Sequence, residues 1–198
     1  MDWVLFITTF LFASYLPGIN MSLALSLSLN IGYKKTMFMI LGGVFGLGFV
    51  SLVCAVGVGA LIITKPEIFE ILKVVGGIYI LFLSYKMFMA NSKFKDVKAV
   101  KPLSNLELFV QGFMTCNINP KAWIFLATLL PPFLDRENPI NLKMFILIFI
   151  IMLIEFLSYN TYALGGLAFK KLMSKHVQVV EKISAFLMGV IGIWIIFE

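Results

Sequence analysis

Long uncharged hydrophobic runs alternate with short charged segments along this chain. No charged residue occurs between positions 3 and 33 or between positions 36 and 64. Each run is longer than the about 20 residues that a helix needs to cross the hydrocarbon core of a bilayer. Both runs are therefore predicted to be transmembrane helices, spans one and two.

The same pattern predicts four more spans. They lie at 68–89, 108–134, 144–169 and 177–197, with charged segments at 135–143 and 170–176. We therefore expect an all-α polytopic membrane protein with six transmembrane helices in a single transporter domain, 1–198. A polar linker at 91–105 divides it into a first repeat, 1–90, and a second repeat, 106–198.

The positions of the basic residues predict the orientation of these spans, because basic loops are retained in the cytoplasm. The chain has 16 lysines and arginines. With the first loop inside, eleven of them lie on the inner side and one, Lys121, lies inside span four. The outer side has four: Lys65, Lys73, Arg136 and Lys143. Both termini are therefore predicted to be periplasmic, in a bacterial inner membrane.

Two three-span units joined by an inside linker must insert with opposite orientations. Such inverted repeats are typical of secondary transporters, whose substrate sites lie near the bilayer midplane on discontinuous helices. The six spans are therefore predicted to form two inverted three-helix repeats with a site between them.

Proline interrupts spans one and four near their middles, at Pro17 and Pro120. Each proline removes a backbone donor and clashes with the preceding turn, so it can divide a helix in two. The second half-helix then directs free N–H groups and partial positive charge toward the interior, which suits a substrate carboxylate. Pro17 and Pro120, with the adjoining Gly18, Asn20 and Asn119, are therefore predicted to form the substrate-binding site. The two asparagines either contact the substrate or satisfy the broken backbone groups. The alternative is an ordinary proline kink.

Two charged residues lie deep in the second half, Lys121 in span four and Glu155 in span five. A charged side chain at the centre of a membrane helix is unfavourable by about 2.5–3.5 kcal/mol, so the two are expected to pair. Lys121 is then a substrate-binding residue and Glu155 a proton carrier, unless the pair is purely structural. Tyr159 and Tyr162 share a helical face with Glu155 and either line the same site or serve as aromatic packing.

Composition excludes several other functions. The chain is 61% hydrophobic and only 13% charged, whereas about a quarter of the residues in a soluble domain are charged. The net charge of +6 does not indicate a nucleic-acid partner, because the basic residues lie between apolar runs rather than on one surface. Cys54, Cys116 and His176 lack the spacing of a metal site, so neither metal nor cofactor is expected.

The chain resembles the LysE/RhtB family of amino-acid exporters, also called LysE-type translocators, along essentially its whole length. Three motifs in order carry the resemblance: Pro17-Gly18-Ile19-Asn20, Lys73-x-x-Gly76-Gly77-x-Tyr79 and Asn119-Pro120-Lys121-Ala122. Ile19 stands where the family has a second proline. The resemblance implies efflux of an amino acid or a derivative, driven by the proton-motive force, and no enzymatic activity. The partners expected are therefore an amino acid, protons and the lipid bilayer.

Two other functions stay open from the sequence. Membrane thiol-disulfide electron transfer of the CcdA type also uses about six spans and two cysteines, but its cysteines lie beside prolines, unlike Cys54. Export of an inorganic ion usually requires several oxygen ligands, whereas Glu155 is the one acidic residue deep in a span. A homo-oligomer is also left open.

The predicted topology can be tested with reporter fusions. A fusion at Glu198 should report a periplasmic location, and a fusion within 91–105 should report a cytoplasmic one, because the inner loops have most of the basic residues. Paired alkaline phosphatase and fluorescent protein reporters at each site provide the control. A cytoplasmic Glu198 would contradict the six-span inverted repeat.

Overall fold

The computed structural model describes residues 3–15, 18–89, 103–135 and 137–197, which are almost entirely helical and contain no strand. These residues form seven α-helices and one short 3-10 helix. In chain order they are α1 (Trp3–Ser14), α2 (Ile19–Ile31), α3 (Tyr33–Thr64), α4 (Pro66–Phe88), α5 (Asn105–Asn117), α6 (Pro120–Leu129), the 3-10 helix Pro131–Phe133, and α7 (Leu142–Phe197). The all-α prediction is confirmed for this part of the chain.

Among the described residues, two helical segments are long and apolar enough to cross a membrane by themselves. They are α3 and the Leu142–Gly165 part of α7. Helices α1 and α2 meet at 56° and make a third if the bent pair is one span. The protein is thus a multi-pass membrane protein, and the number of six spans stays a prediction. Most of the linker predicted at 91–105 lies outside the described residues.

The short connection between α2 and α3 depends on Gly32, which has a φ of 84°. A side chain is strained in this left-handed region, which glycine adopts readily. The N–H of Gly32 bonds to Ser28 O at 3.1 Å, while Thr36 N bonds to Gly32 O at 3.2 Å. Gly32 is therefore hydrogen-bonded both to the last turn of α2 and to the first turn of α3. The chain passes from one helix to the next without an extended loop.

Glycines allow α3 and α5 to pack with their backbones in contact. A Cβ atom added to Gly42 would overlap the carbonyl oxygen of Phe109, and one added to Gly112 would overlap that of Met39. Close backbone approach through small residues is the usual way in which membrane helices associate, because lipid removes most of the hydrophobic driving force. These two helices are a fixed part of the scaffold.

Contacts along the helices give their relative directions. The ring pairs Phe45–Phe109 and Phe49–Phe113 advance together along α3 and α5, so these helices are parallel. On α7, Tyr159 lies beside Gly43 whereas Met152 lies beside Gly48, so α3 and this part of α7 are antiparallel. These directions are compatible with spans two and four crossing one way and span five the other.

Helix α7 continues through 170–176, where the sequence pattern predicts a loop between spans five and six. The described backbone is helical in this segment, which has no glycine or proline, and the boundary between spans five and six at 170–176 stays a prediction. The helix is not straight, however. Glu155 and Met188 line one cavity, although 33 residues of straight helix would separate them by about 50 Å. The axis of α7 therefore reverses between them.

After this reversal α7 packs antiparallel to α4. The Ser84 hydroxyl donates to Ala185 O at 2.6 Å, and Lys182 Nζ lies 5.9 Å from the centre of the Phe88 ring. A Cβ atom added to Gly77 would contact Gly192 O. The second part of α7 thus returns along α4, which requires a sharp bend of the helix axis between Glu155 and Met188.

The contact between α3 and α5 can be tested with alanine substitutions. Gly42→Ala and Gly112→Ala should each lower the free energy of unfolding by about 1–3 kcal/mol or more, because the added methyl group meets backbone atoms that cannot rotate away. Gly57→Ala on α3 is the matched control, since nothing lies within 4 Å of its added Cβ. The measurement is the apparent melting temperature in detergent. Equal melting temperatures for all three variants would contradict this packing.

Candidate functional site

The break between α1 and α2 leaves backbone carbonyls of α1 without helical partners, and α7 provides the donors. The Ser158 hydroxyl donates to Ser14 O at 2.9 Å, and the Tyr162 hydroxyl donates to Tyr15 O at 2.8 Å. Unpaired backbone groups are strongly unfavourable at membrane depth, where no water replaces the lost bonds. The end of α1 is therefore held against α7 by hydrogen bonds.

The break between α5 and α6 is paired in a similar way. The Trp123 indole N–H donates to Asn117 O at 2.8 Å, which satisfies a carbonyl at the end of α5. Ala122 N bonds to Asn119 O at 3.1 Å and closes the first turn of α6. Pro120 is the first residue of α6, where a missing N–H has no consequence and a fixed φ favours the helix. That the prolines cause the two breaks stays a prediction.

Glu155 is buried on α7 beside the end of α1, with 6% of its surface exposed. The Ser14 hydroxyl donates a hydrogen bond to its carboxylate. Ser14 is joined to α7 a second time through its backbone carbonyl, which accepts the Ser158 hydroxyl. The acidic side chain and the first helix break are therefore one connected unit.

A cavity of about 290 Å³ lies between the two breaks and α7. Its wall includes four residues that the sequence predicts for the site, Gly18, Asn20, Asn119 and Glu155. Residues from these distant positions meet because α1 and α2 pack against α7 at the first break, while Cys116, just before the second break, contacts Asn20 on α2 and Tyr159 on α7. The volume is close to the lower end of the about 300–1,000 Å³ that is typical of small-molecule sites.

The cavity wall divides into a polar and an apolar part. Its polar side chains are those of Ser14, Asn20, Asn119 and Glu155, all at or beside the breaks. The remaining wall residues are mainly apolar: Phe10, Ala13, Ile19, Met21, Leu47, Ala122, Phe125, Leu126 and Met188. A mostly apolar wall with a few polar groups is typical of a site that orients a small amphipathic molecule.

The other predicted site residues are placed as follows. Pro17 and the side chain of Lys121 lie outside the described part of the structure, so the predicted pairing of Lys121 with Glu155 stays a prediction. Ala122, which follows Lys121, lines the cavity, whereas Pro120 begins α6 and is not among the wall residues.

Tyr159 and Tyr162 are almost fully buried but are not among the residues that line the cavity. Tyr159 fills the space beside Gly43, which has no side chain to obstruct the ring. Tyr162 donates to Tyr15 O at the end of α1. In this structure the two side chains therefore pack between helices, and a role for them in lining the site stays a prediction.

Two residues at this site, Ser14 and Cys116, were not predicted from the sequence. Asn20 Nδ2 donates to Cys116 Sγ at 3.2 Å, and Cys116 Sγ lies 3.6 Å from the Tyr159 hydroxyl oxygen. Ser14 could have been noticed as a polar residue three positions before Pro17. At that place in a helix, backbone carbonyls lose the N–H partners that the following turn would provide. Within the described residues, no group of three or more His, Cys, Asp or Glu side chains could hold a metal ion.

Comparison with known proteins identifies related membrane proteins. A family model described as LysE type translocator matches residues 11–198. The uncharacterized membrane protein YrhP of Bacillus subtilis (strain 168) is 27% identical over 189 residues, which is 90% of each chain. A homoserine/homoserine lactone efflux protein of Salmonella typhimurium is 29% identical over 137 residues, 69% of this chain and 66% of that relative. No solved structure matches the chain.

Proposed function

The chain belongs to the LysE type translocator family, and from this premise we propose that it exports an amino acid or a close derivative across a bacterial inner membrane. One observation of the structure carries the proposal. The cavity brings together two helix breaks, distant in sequence, and a buried carboxylate. The Salmonella relative is named an efflux protein for homoserine and homoserine lactone, which supports the same class of substrate.

The breaks suit the carboxylate of an amino acid. Gly18 precedes α2 and has no side chain to cap the first N–H groups of that helix. Pro120 begins α6 beside Asn119, which is on the cavity wall. Free N–H groups at helix starts bind anions, and the half-helices of transporters use them for substrate carboxylates. In this proposal Gly18, Asn20 and Asn119 surround the carboxylate, with Lys121 adding positive charge.

Glu155 is proposed to couple export to protons. It is the one acidic side chain of the described cavity wall, and a buried carboxyl group can exist in either protonation state. Export against a gradient follows if the outward step requires bound substrate and the return step requires protonated Glu155. Each exported molecule is then matched by a proton that moves inward. Lys121 would neutralise Glu155 when neither substrate nor proton is bound.

The efflux assay combines overexpression with a dipeptide challenge, followed by measurement of extracellular amino acids. Cells that overexpress the protein should release at least one amino acid faster than control cells. Gly18→Leu should abolish this release, because Gly18 lines the cavity at the start of α2 and a bulky side chain is expected to obstruct the site there. Gly57→Leu is the matched control and should release normally, since Gly57 faces open space. Normal release by Gly18→Leu, at equal protein levels in the membrane, would contradict the site.

Proton coupling can be tested with Glu155→Gln. The amide oxygen can still accept the Ser14 hydrogen bond, but the side chain no longer carries a proton. In proteoliposomes the variant should lose transport driven by a pH gradient yet retain exchange of labelled for unlabelled amino acid. Glu107→Gln is the control, because Glu107 lies in an exposed capping box before span four and glutamine preserves that motif. Full pH-driven transport by Glu155→Gln would eliminate the coupling role.

A further inference from the structure

Part of the apolar cavity wall comes from residues that are separated from the helix breaks along the chain. Phe10 is one helical turn before Ser14 on α1, and Phe125 is five residues after Pro120 on α6. The centres of the two rings are 6.4 Å apart, so both helices contribute to the same end of the cavity. Leu126 and Met188 also line the cavity. We call these four residues the apolar subsite.

This subsite is backed by further apolar residues rather than by polar groups. The rings of Phe6 and Phe133 are 4.9 Å apart between centres, and those of Phe133 and Trp194 are 5.6 Å apart. All four subsite residues pack in the same hydrophobic cluster as Phe6 and Phe133. A charged or strongly polar group placed among them would lose its water and find no hydrogen-bond partner in the described wall at that end.

The polar side chains of the cavity wall belong to residues at or beside the breaks, whereas Phe10 and Phe125 are at least one helical turn from the breaks along α1 and α6. Ser14, Asn20, Asn119 and Glu155 stand at or beside the breaks, where the proposed function places the charged backbone part of an amino acid. A zwitterion held there extends its side chain toward the apolar subsite. The arrangement of the wall therefore sets which side chains fit, separately from how the carboxylate is bound.

We propose that the apolar subsite of Phe10, Phe125, Leu126 and Met188 selects amino acids with aliphatic side chains, such as leucine, isoleucine, methionine and valine. This inference rests on the proposed function and adds a substrate class to it. Amino acids with charged side chains bind weakly, because their charge would be buried without a partner. Homoserine also binds less well, since its terminal hydroxyl group would lose its hydrogen bonds to water. The expected preference over hydroxylated side chains is about tenfold to a hundredfold.

The test is a binding panel with the purified full-length protein in detergent. The twenty proteinogenic amino acids and homoserine are titrated one at a time, and each Kd is obtained from the concentration dependence of the melting temperature. Leucine, isoleucine, methionine or valine should bind best, homoserine and threonine about tenfold or more weakly, and lysine, arginine, aspartate and glutamate weakest. Tightest binding of homoserine or of a charged amino acid would overturn this inference and leave the proposed function standing. No binding of any member would overturn both.

Substitutions within the subsite test which residues set the preference. Met188→Gln places an amide among the apolar groups, so the ratio of leucine affinity to homoserine affinity should fall about tenfold or more. Met152→Gln, on the same helix but outside the cavity wall, should leave the ratio unchanged. If Met188→Gln does not fold, Phe125→Leu enlarges the subsite and should raise the affinity for phenylalanine relative to leucine. An unchanged ratio in the variant that folds would overturn the inference.

Discussion

The requirement that every backbone N–H and C=O group be paired inside the protein governs this structure, because the hydrocarbon core of a bilayer offers no water to replace a lost bond. A broken helix is tolerated at that depth where other side chains supply donors and acceptors. Ser158 and Tyr162 pair the end of α1, and Trp123 pairs the end of α5. The backbone groups at the breaks are therefore paired by neighbouring side chains, and residues of both breaks line one cavity.

Close contacts between helices position the residues around the breaks. Glycines bring the backbones of α3 and α5 together, and Gly43 leaves room for the ring of Tyr159. Tyr159 approaches Cys116, which accepts a hydrogen bond from Asn20 on the cavity wall. Gly43 on α3 thus helps to determine the position of Asn20 through Tyr159 and Cys116, although Gly43 is not among the residues that line the cavity. A glycine-rich face is a packing feature with consequences for the site.

Much of the site could be predicted from the sequence, because the signals were strong violations of the hydrophobic pattern. Proline beside asparagine or glycine in an apolar run indicated the two breaks, and a glutamate in an apolar run indicated Glu155. The family resemblance is confirmed by the match over residues 11–198. The partner of Glu155 was not predictable in the same way. Its hydrogen bond to Ser14 depends on how α1 and α7 are packed, and serine is common in membrane helices. The path of α7 through 170–176 was also missed, because charged residues mark a membrane boundary without requiring the helix to end.

The central claim is that the two helix breaks and Glu155 enclose a single site for the exported amino acid. Protection from alkylation tests this. The variant Ala122→Cys places a thiol on the cavity wall, and Gly57→Cys is the control. Modification of each introduced cysteine by a membrane-permeant maleimide is followed by mass spectrometry. The account predicts that the exported amino acid slows modification at position 122 in a saturable way and leaves position 57 unaffected. Equal rates at position 122 with and without saturating amino acid, in a variant that still transports, would contradict it.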